Sequence, residues 1–360
     1  MESGIGKGYL VLVDISGFTP FVAGTELEHS QAILSDIFKL IMRRFTPRLT
    51  VAEIEGDAVF AYATDQQFPR GETLLEIIEA TYVDFRDRQK SGKRLATCTC
   101  KACQMIGSLD LKFITHHGDF VFQDIAGRPK PLGSSVNLVH RLLKNKITEN
   151  TGWRGYALFT EASLLQMDVH PLNIHSQIES YEHLGDVQTY SLNLGDRYIE
   201  LTDERVVRLD STSADVVVSK EFSATADVLW EWLNEPQKRS RWQQRSDWHA
   251  DDRPQGRASR GATNHCSNSG VVERVLDWRP FSYYTVEFRK GPLRLMATTQ
   301  LDMSESGTIL TLFAKFNYKL PPFMRRPLSK LVVMKGMQYP SALAKLTQLL
   351  TDEEPALAVH

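Results

Sequence analysis

Cysteine is scarce in this sequence: four residues in 360, three of them crowded at Cys98, Cys100 and Cys103. That usage excludes a disulfide-stapled scaffold and points to a reducing compartment, of which the cytoplasm is the simplest. Long apolar runs are missing as well. Nothing approaches eighteen consecutive apolar residues, so no membrane-spanning helix is expected. The N-terminus runs almost directly into the apolar residues 9–13, which leaves no room for a signal peptide. Neither sign of charge dominates, since 42 Lys and Arg stand against 44 Asp and Glu. A formal net charge of −2 offers no footprint for non-specific nucleic-acid binding. Internal repeats and low-complexity tracts are absent too.

What is present is an ordinary globular composition, 42% hydrophobic and 24% charged, in a chain longer than one typical core. Two domains are expected, residues 1–200 and 214–352, joined by a polar and weakly patterned stretch after Asp196. In the first, residues 9–13 read as a buried strand. Ile33, Ile37, Leu40 and Ile41 recur at helical spacing until Pro47. Residues 51–62 read as two strands about a Glu55-Gly56-Asp57 turn, the best hairpin signal in the chain. A second helix carries Leu74, Ile77, Ile78, Thr81 and Phe85. Residues 109–115 and 120–122 read as separate strands around His116-His117-Gly118-Asp119. A third helix begins near Ser134, Thr160 is a candidate helix cap, and strands lie near Tyr181 and Tyr190. This order predicts an α+β sheet with helices on one face.

Asp14 ends the first strand and Asp57 sits in the hairpin. Two carboxylates so placed can hold Mg²⁺ while leaving positions for phosphate oxygens, although an Asp in a turn is also an ordinary turn former. The surrounding residues add to this. Asp14-Ile15-Ser16-Gly17-Phe18-Thr19, then Glu55-Gly56-Asp57-Ala58, then Gly133-Ser134-Ser135-Val136-Asn137-Leu138-Val139-His140-Arg141 resemble, in order, three motifs of the class III adenylyl and guanylyl cyclases. The resemblance implies a ferredoxin-like domain that pairs head to tail as a homodimer, with a nucleoside triphosphate bound between subunits. It implies Asp14, Ile15 and Asp57 as ligands of two Mg²⁺ or Mn²⁺ ions. From the partner would come Asn137, orienting the ribose, and Arg141, stabilising charge on the transferring phosphoryl group. The product would be a 3′,5′-cyclic nucleotide.

Two departures qualify that expectation. Where adenylyl cyclases carry a Lys and an Asp that read adenine, this chain carries Glu53 and Lys130. A carboxylate and an ammonium in those places suit guanine; equally, the two could pair across the dimer and close an unused pocket. Leu184 stands where the family has a phosphate-binding Lys, with Lys144 and Lys146 as possible substitutes. A divergent cyclase acting on ATP or GTP is therefore one reading. A catalytically silent dimer that senses or carries a nucleotide, small molecule or lipid is the other.

Cys98, Cys100 and Cys103, with His116 or its neighbour His117 a strand away, could supply a tetrahedral Cys₃His set for a structural zinc ion; free thiols are the alternative. In the second half, a strand at 216–222 and a helix with Val228, Leu229, Trp232 and Leu233 precede strands near 271–276, 283–288, 293–301 and 308–318. A helix over 323–350, broken near Pro340, closes the chain. This order, with Val216-Val217-Val218-Ser219-Lys220-Glu221-Phe222 and Val275-Leu276-Asp277-Trp278-Arg279-Pro280-Phe281, resembles the START-like (SRPBCC, polyketide cyclase-like) helix-grip fold. The resemblance implies an internal apolar cavity for a lipid or small molecule, with His265 and Cys266 as candidate polar groups in it.

Overall fold

The computed structural model describes residues 5–68, 71–95, 100–125, 128–171, 173–202, 207–243, 246–253, 256–317 and 321–357. The chain divides into two compact units, Met1–Thr202 and Asp203–His360.

The first unit opens with β1 (Ile5–Ser16), α1 (Phe18–Gly24) and α2 (Leu27–Phe45), followed by the hairpin β2 (Thr50–Glu55) and β3 (Ala58–Thr64). Next come α3 (Glu72–Leu95), the short α4 (Lys101–Met105), the long β4 (Asp110–Ile125) and β5 (Arg128–Leu132). α5 (Ser134–Leu142), α6 (Ile147–Thr151), β6 (Tyr156–Thr160), α7 (Glu161–Met167), β7 (Ile174–Tyr181), β8 (Gly185–Asn193) and α8 (Leu194–Thr202) complete it. The sheet order is β2-β3-β1-β4-β6-β8-β7, with β5 paired to β4. Its first four strands, in order 2-3-1-4 with helices between, form the ferredoxin-like βαββαβ arrangement.

β1 is the central strand because both its faces are apolar: residues 8–13 are all buried. Leu10 and Leu12 pack with Val136, Val139 and Leu142 of α5. Tyr9, Val11 and Val13 point the other way and are equally buried. The expectation of helices on one face is thus corrected: a sheet clothed on one side only would expose these three residues. Another correction concerns β4, a single strand of 16 residues. Gly118, which reads as a break, lies directly opposite Gly8 of β1. Strand pairing with β1 carries the chain through His116-His117-Gly118 without a turn. Thr160 caps α7 as expected, its hydroxyl accepting from the Ser163 amide.

Among the described residues the second unit is one seven-stranded antiparallel sheet with four α-helices. β9 (Val216–Phe222) leads into α9 (Ala226–Asn234) and α10 (Pro236–Trp242). Then follow β10 (Trp248–Asp252), β11 (Thr263–Cys266), β12 (Val271–Arg279), β13 (Tyr283–Lys290), β14 (Leu293–Ser304) and β15 (Gly307–Phe316). α11 (Pro322–Leu331) passes through a π-helical turn into α12 (Tyr339–Leu357), so the break precedes Pro340, which sits in the first turn of α12. The strands run β10-β11-β12-β13-β14-β15-β9, and α12 buries Tyr339, Ala342, Leu343 and Leu346. Strand, helices, meander and closing helix are the helix-grip order.

Candidate active site

Asp14 lies near the C-terminal end of β1, two residues before the strand ends at Ser16, and the register places it between Ala58 of β3 and Lys112 of β4. Residues directly opposite on neighbouring strands share a face. The Lys112 ammonium accordingly lies 3.0 Å from the Asp14 carboxylate. Lys112 carried no signal in the sequence reading, because only the pairing of β1 with β4 brings it there.

Asp57 occupies the turn of the β2–β3 hairpin, which Gly56 allows by adopting φ 59°. Its carbonyl accepts from the Ile15 amide at 3.1 Å, fastening the hairpin tip to the end of β1. Ile15 has a hydrocarbon side chain, which is buried, so its backbone carbonyl is all it could offer a metal ion. Gly17 caps α1 at φ 84°, and a Cβ there would come within 2.8 Å of the Ser108 carbonyl. This approach explains a glycine two residues after Ile15.

Asp14 and Asp57 line one cleft of about 330 Å³, together with Glu53, Glu55, Phe60 and His140. Burial, reinforced by the neighbouring Asp14 charge, raises the Asp57 pKa above the ordinary carboxylate value. Two converging carboxylates of this kind fit a divalent cation, whose charge relieves their repulsion. Lys112 already supplies part of that compensation. His140, a residue the sequence reading gave no role, reaches the cleft from α5 and packs its ring 5.0 Å from Phe60.

The raised pKa fixes a sign. A carboxyl group whose folded pKa exceeds its unfolded one stabilises below the unfolded value, and that contribution disappears as pH rises through the folded value. Asp57→Asn is therefore expected to be neutral or mildly stabilising at pH 8 without added metal. Mn²⁺ requires the ionised form. If Asp14 and Asp57 hold the ion, its thermal stabilisation of the native chain, roughly 2.7 kcal/mol at a hundredfold excess over Kd, would be full at pH 8. It should shrink as pH falls through the raised pKa of Asp57 and be absent from Asp57→Asn. Calorimetry across pH with and without Mn²⁺ reads both effects.

Asn137 and Arg141 lie on the exposed side of α5, opposite the face that buries Val136, Val139 and Leu142. Neither lines the cleft that holds Asp14 and Asp57 in the same chain. Lys144 and Lys146 are exposed just beyond them. Glu53 and Lys130 form an ion pair of 2.9 Å within one chain, between β2 and β5, so no dimer is needed to bring them together. Leu184 is half-buried in the β7–β8 turn, its amide donating to the Tyr181 carbonyl.

The zinc set of the sequence reading is not assembled as expected. His116 lies inside β4, with Nδ1 2.9 Å from the Thr160 hydroxyl, and burial pushes its pKa down to about 4. His117 is bonded to Asp65 at 2.8 Å and packs against Tyr9. Continuous pairing of β4 commits both rings to the body of the sheet. Instead His29, from the first turn of α2, stands with Cys100 and Cys103. Cys98 lies outside the described residues.

Residues 213–350 match the family model described as polyketide cyclase / dehydrase and lipid transport. The second unit is a polyketide cyclase/dehydrase-type domain. Residues 34–151 match a family model described only as a protein of unknown function (DUF2652). An uncharacterized protein of Mycobacterium tuberculosis (strain ATCC 25618 / H37Rv) is 27% identical over 150 residues, 41% of this chain. The match spans 66% of that relative's length. Among solved structures, a bacterial light-regulated adenylyl cyclase is similar at 14% identity, with 54% of each chain covered and a TM-score of 0.42. The adenylyl cyclase CyaB from P. aeruginosa is similar at 17% identity, over 53% of this chain and 95% of that one, with a TM-score of 0.41.

The interior of the polyketide cyclase-type domain is not purely apolar. Arg239 of α10 is buried and donates from Nη1 and Nη2 to the two carboxylate oxygens of Glu273 on β12, each at 2.8 Å. Asn264 of β11 donates to the same carboxylate at 2.7 Å. Arg239 Nε and Asn264 Oδ1 are buried without a partner among the described residues. Of the two polar groups suggested by sequence, His265 is at the surface bonded to Asp251, and Cys266 is buried and accepts from the Asp247 amide. Neither joins the Arg239–Glu273 network: the alternation of β11 turns Asn264 inward and His265 outward.

Among the described residues no helix is long and apolar enough to cross a membrane.

Proposed function

We propose that the first unit is a divalent-metal-dependent nucleotidyl cyclase that works as a homodimer, converting a nucleoside triphosphate into a 3′,5′-cyclic nucleotide and pyrophosphate. One observation carries the reading. Asp14 and Asp57 line one cleft, whereas Asn137 and Arg141, the other half of the motif set, are exposed to solvent on α5 and do not line it. A single chain thus holds two half-sites, which a second copy would complete. An open apolar groove lined by Phe18, Val22, Leu34, Phe38, Met42 and Ile54 supports the pairing. It adjoins the cleft through β2, where Ile54 lies between Glu53 and Glu55.

Bound at Asp14 and Asp57, Mg²⁺ or Mn²⁺ would supply Lewis-acid charge at the phosphate oxygens. The chain's own residues orient and stabilise. Asn137 holds the ribose so that its 3′-oxygen lies in line with the α-phosphorus. As the 3′-hydroxyl releases its proton to solvent, the new P–O bond forms and the bond to pyrophosphate breaks, and Arg141 donates to the oxygens that gain charge. Lys144, one turn beyond Arg141, is placed to take the triphosphate charge that Leu184 leaves unmet. Glu53 and Lys130 set the base. Both are exposed enough that opening their ion pair costs little, about 0–1 kcal/mol. A guanine edge can replace each partner, with N1–H and the 2-amino group donating to Glu53 and O6 accepting from Lys130. In the second unit we propose an amphipathic small-molecule or lipid ligand, whose polar end would satisfy Arg239 Nε and Asn264 Oδ1.

A second reading has its own support. Asp14 and Glu53 are both already paired with lysines of the same chain, which suits a silent, nucleotide-sensing dimer. Purified full-length protein incubated with Mn²⁺ and GTP or ATP separates the two. Cyclic GMP is the expected product, and the pair of changes Glu53→Lys and Lys130→Asp should turn preference toward ATP. Nucleotide binding without cyclic product from either triphosphate would leave the sensor reading.

A further inference from the structure

The start of α2 and the start of α4 are joined by two side chains of α2's first turn and its cap. Glu26, the residue capping α2, accepts the backbone amides of Lys101 and Ala102, each at 3.1 Å. Three residues on, His29 points its Nδ1 at the Cys100 sulfur, 2.9 Å away. Cys100 caps α4, and its sulfur also accepts from the Cys103 amide at 3.4 Å. The ligand atoms of His29, Cys100 and Cys103 all lie within 4.8 Å of one another. His29 is 71 residues from Cys100 in sequence, so the juxtaposition is a product of the fold.

We propose that His29, Cys100 and Cys103 bind a zinc ion that locks α2 to α4.

The chemistry of the donor set fits. Two thiolates and an imidazole are borderline-soft ligands of the kind structural zinc selects, whereas Mg²⁺ and Ca²⁺ prefer oxygen. Zn–S and Zn–N bonds of about 2.3 and 2.0 Å at tetrahedral angles place sulfur about 3.5 Å from nitrogen and about 3.8 Å from a second sulfur. The cluster is already at that scale, and His29 needs to withdraw by well under an ångström. The Cys-x-x-Cys spacing lets both sulfurs converge from one turn of chain, and the fourth position is open to water or a further donor. Both cysteines are half-buried, and the exposed His29 leaves the cluster open to an ion from solvent.

The joint matters because of what it borders. α1 leads from Gly17 directly to Glu26, so the lock lies at the far end of the short helix that follows the Asp14 motif. A metal ion here would hold α2, and with it the apolar groove, against the body of the unit. This inference stands apart from the cyclase reading and is tested without any activity measurement.

Full-length protein purified under reducing conditions is expected to carry one zinc per chain by elemental analysis. Zinc-free protein should take up Co²⁺ with the thiolate-to-metal charge-transfer absorption and strong visible bands of a tetrahedral site. His29→Ala and Cys103→Ser should each weaken zinc binding by more than the ~10–100-fold typical of losing an outer-shell partner. His29→Cys keeps a ligand. It should retain the metal and intensify the charge-transfer band, which separates loss of ligation from loss of folding. The proposal fails if the reduced chain binds no zinc in competition with a micromolar chelator, or if His29→Ala and Cys103→Ser hold zinc as the native chain does. Isolation under those conditions with Cys100 and Cys103 joined as a disulfide would equally overturn it.

Discussion

Mixing two inactive variants, Asp57→Ala and Arg141→Ala, is expected to restore cyclase activity to about a quarter of the native level, given random pairing in a symmetric dimer. Each variant alone should be nearly silent. Asp57 is one of the two carboxylates proposed to hold metal among the four that line the cleft, and losing such a group would remove several kcal/mol of charge stabilisation. At 1.36 kcal/mol per tenfold, that corresponds to roughly 10³-fold or more in rate. Removing a donor to the developing phosphoryl charge costs about 10²–10³-fold, which sets the expectation for Arg141→Ala. In the mixture, half the dimers are mixed, and each mixed dimer has one site built from an intact Asp57 and an intact Arg141. Its other site carries both defects. The prediction rests on the proposed dimer, since Asp57 lines the cleft while Arg141 of the same chain is exposed on α5 and does not line it. If one chain sufficed for catalysis, mixing would restore nothing, and the rate of cyclic product formation would equal the average of the two variants.

The legible part of this site was local. Asp14 could be read because it ends an apolar run, and Asp57 because Glu55-Gly56-Asp57 is a turn between two strands; both signals lie within a few residues. The pairing of β1 with β4, which delivers Lys112 to Asp14, joins residues far apart in the chain and has no local trace. The same holds for His29, whose place beside Cys100 depends on how α2 packs. His116, close to the cysteines in sequence, was the wrong choice because β4 continues through it. β5 escaped notice since Pro129 and Pro131 read as loop. Among the described residues β5 pairs only with β4, and an edge strand tolerates proline where its amide side is unpaired. Pro340, by contrast, marks the break well: the helix is interrupted just before it, and proline is at home in the first turn of the helix that follows.

Local reading also placed most elements of the second unit, though not α10, β10 or β11, while missing its interior. Arg239 lies in a polar, Arg-rich stretch, Pro236-Gln237-Lys238-Arg239-Ser240-Arg241, that has the composition of a solvated helix face. Burial of its guanidinium depends on Glu273 in β12, again distant in sequence. A lone inward arginine is prohibitively costly, and a paired one is tolerated.

That pairing makes Arg239→Met the substitution with the largest expected effect on stability, a loss of roughly 3–5 kcal/mol from the second unit, because Glu273 would remain as an uncompensated buried charge. The guanidinium also lies over the Trp248 ring at 4.0 Å, so its removal takes away a cation–π contact in a desolvated setting. The double variant Arg239→Met with Glu273→Leu should recover most of the loss, since well-packed apolar residues often replace a buried ion pair at little cost. Full recovery is not expected, because Asn264 would lose the carboxylate that accepts its amide at 2.7 Å. Five of the six tryptophans, at 230, 232, 242, 248 and 278, belong to this unit, which makes tryptophan fluorescence during urea unfolding of the full chain a direct readout. A single-variant loss below about 1 kcal/mol, the scale of an exposed ion pair, would mean that water reaches the Arg239–Glu273 pair in solution. The double variant separates the remaining cases. Recovery identifies the orphaned charge as the source of the loss, whereas a double variant as unstable as the single one assigns it to the packing of Arg239 against Trp248.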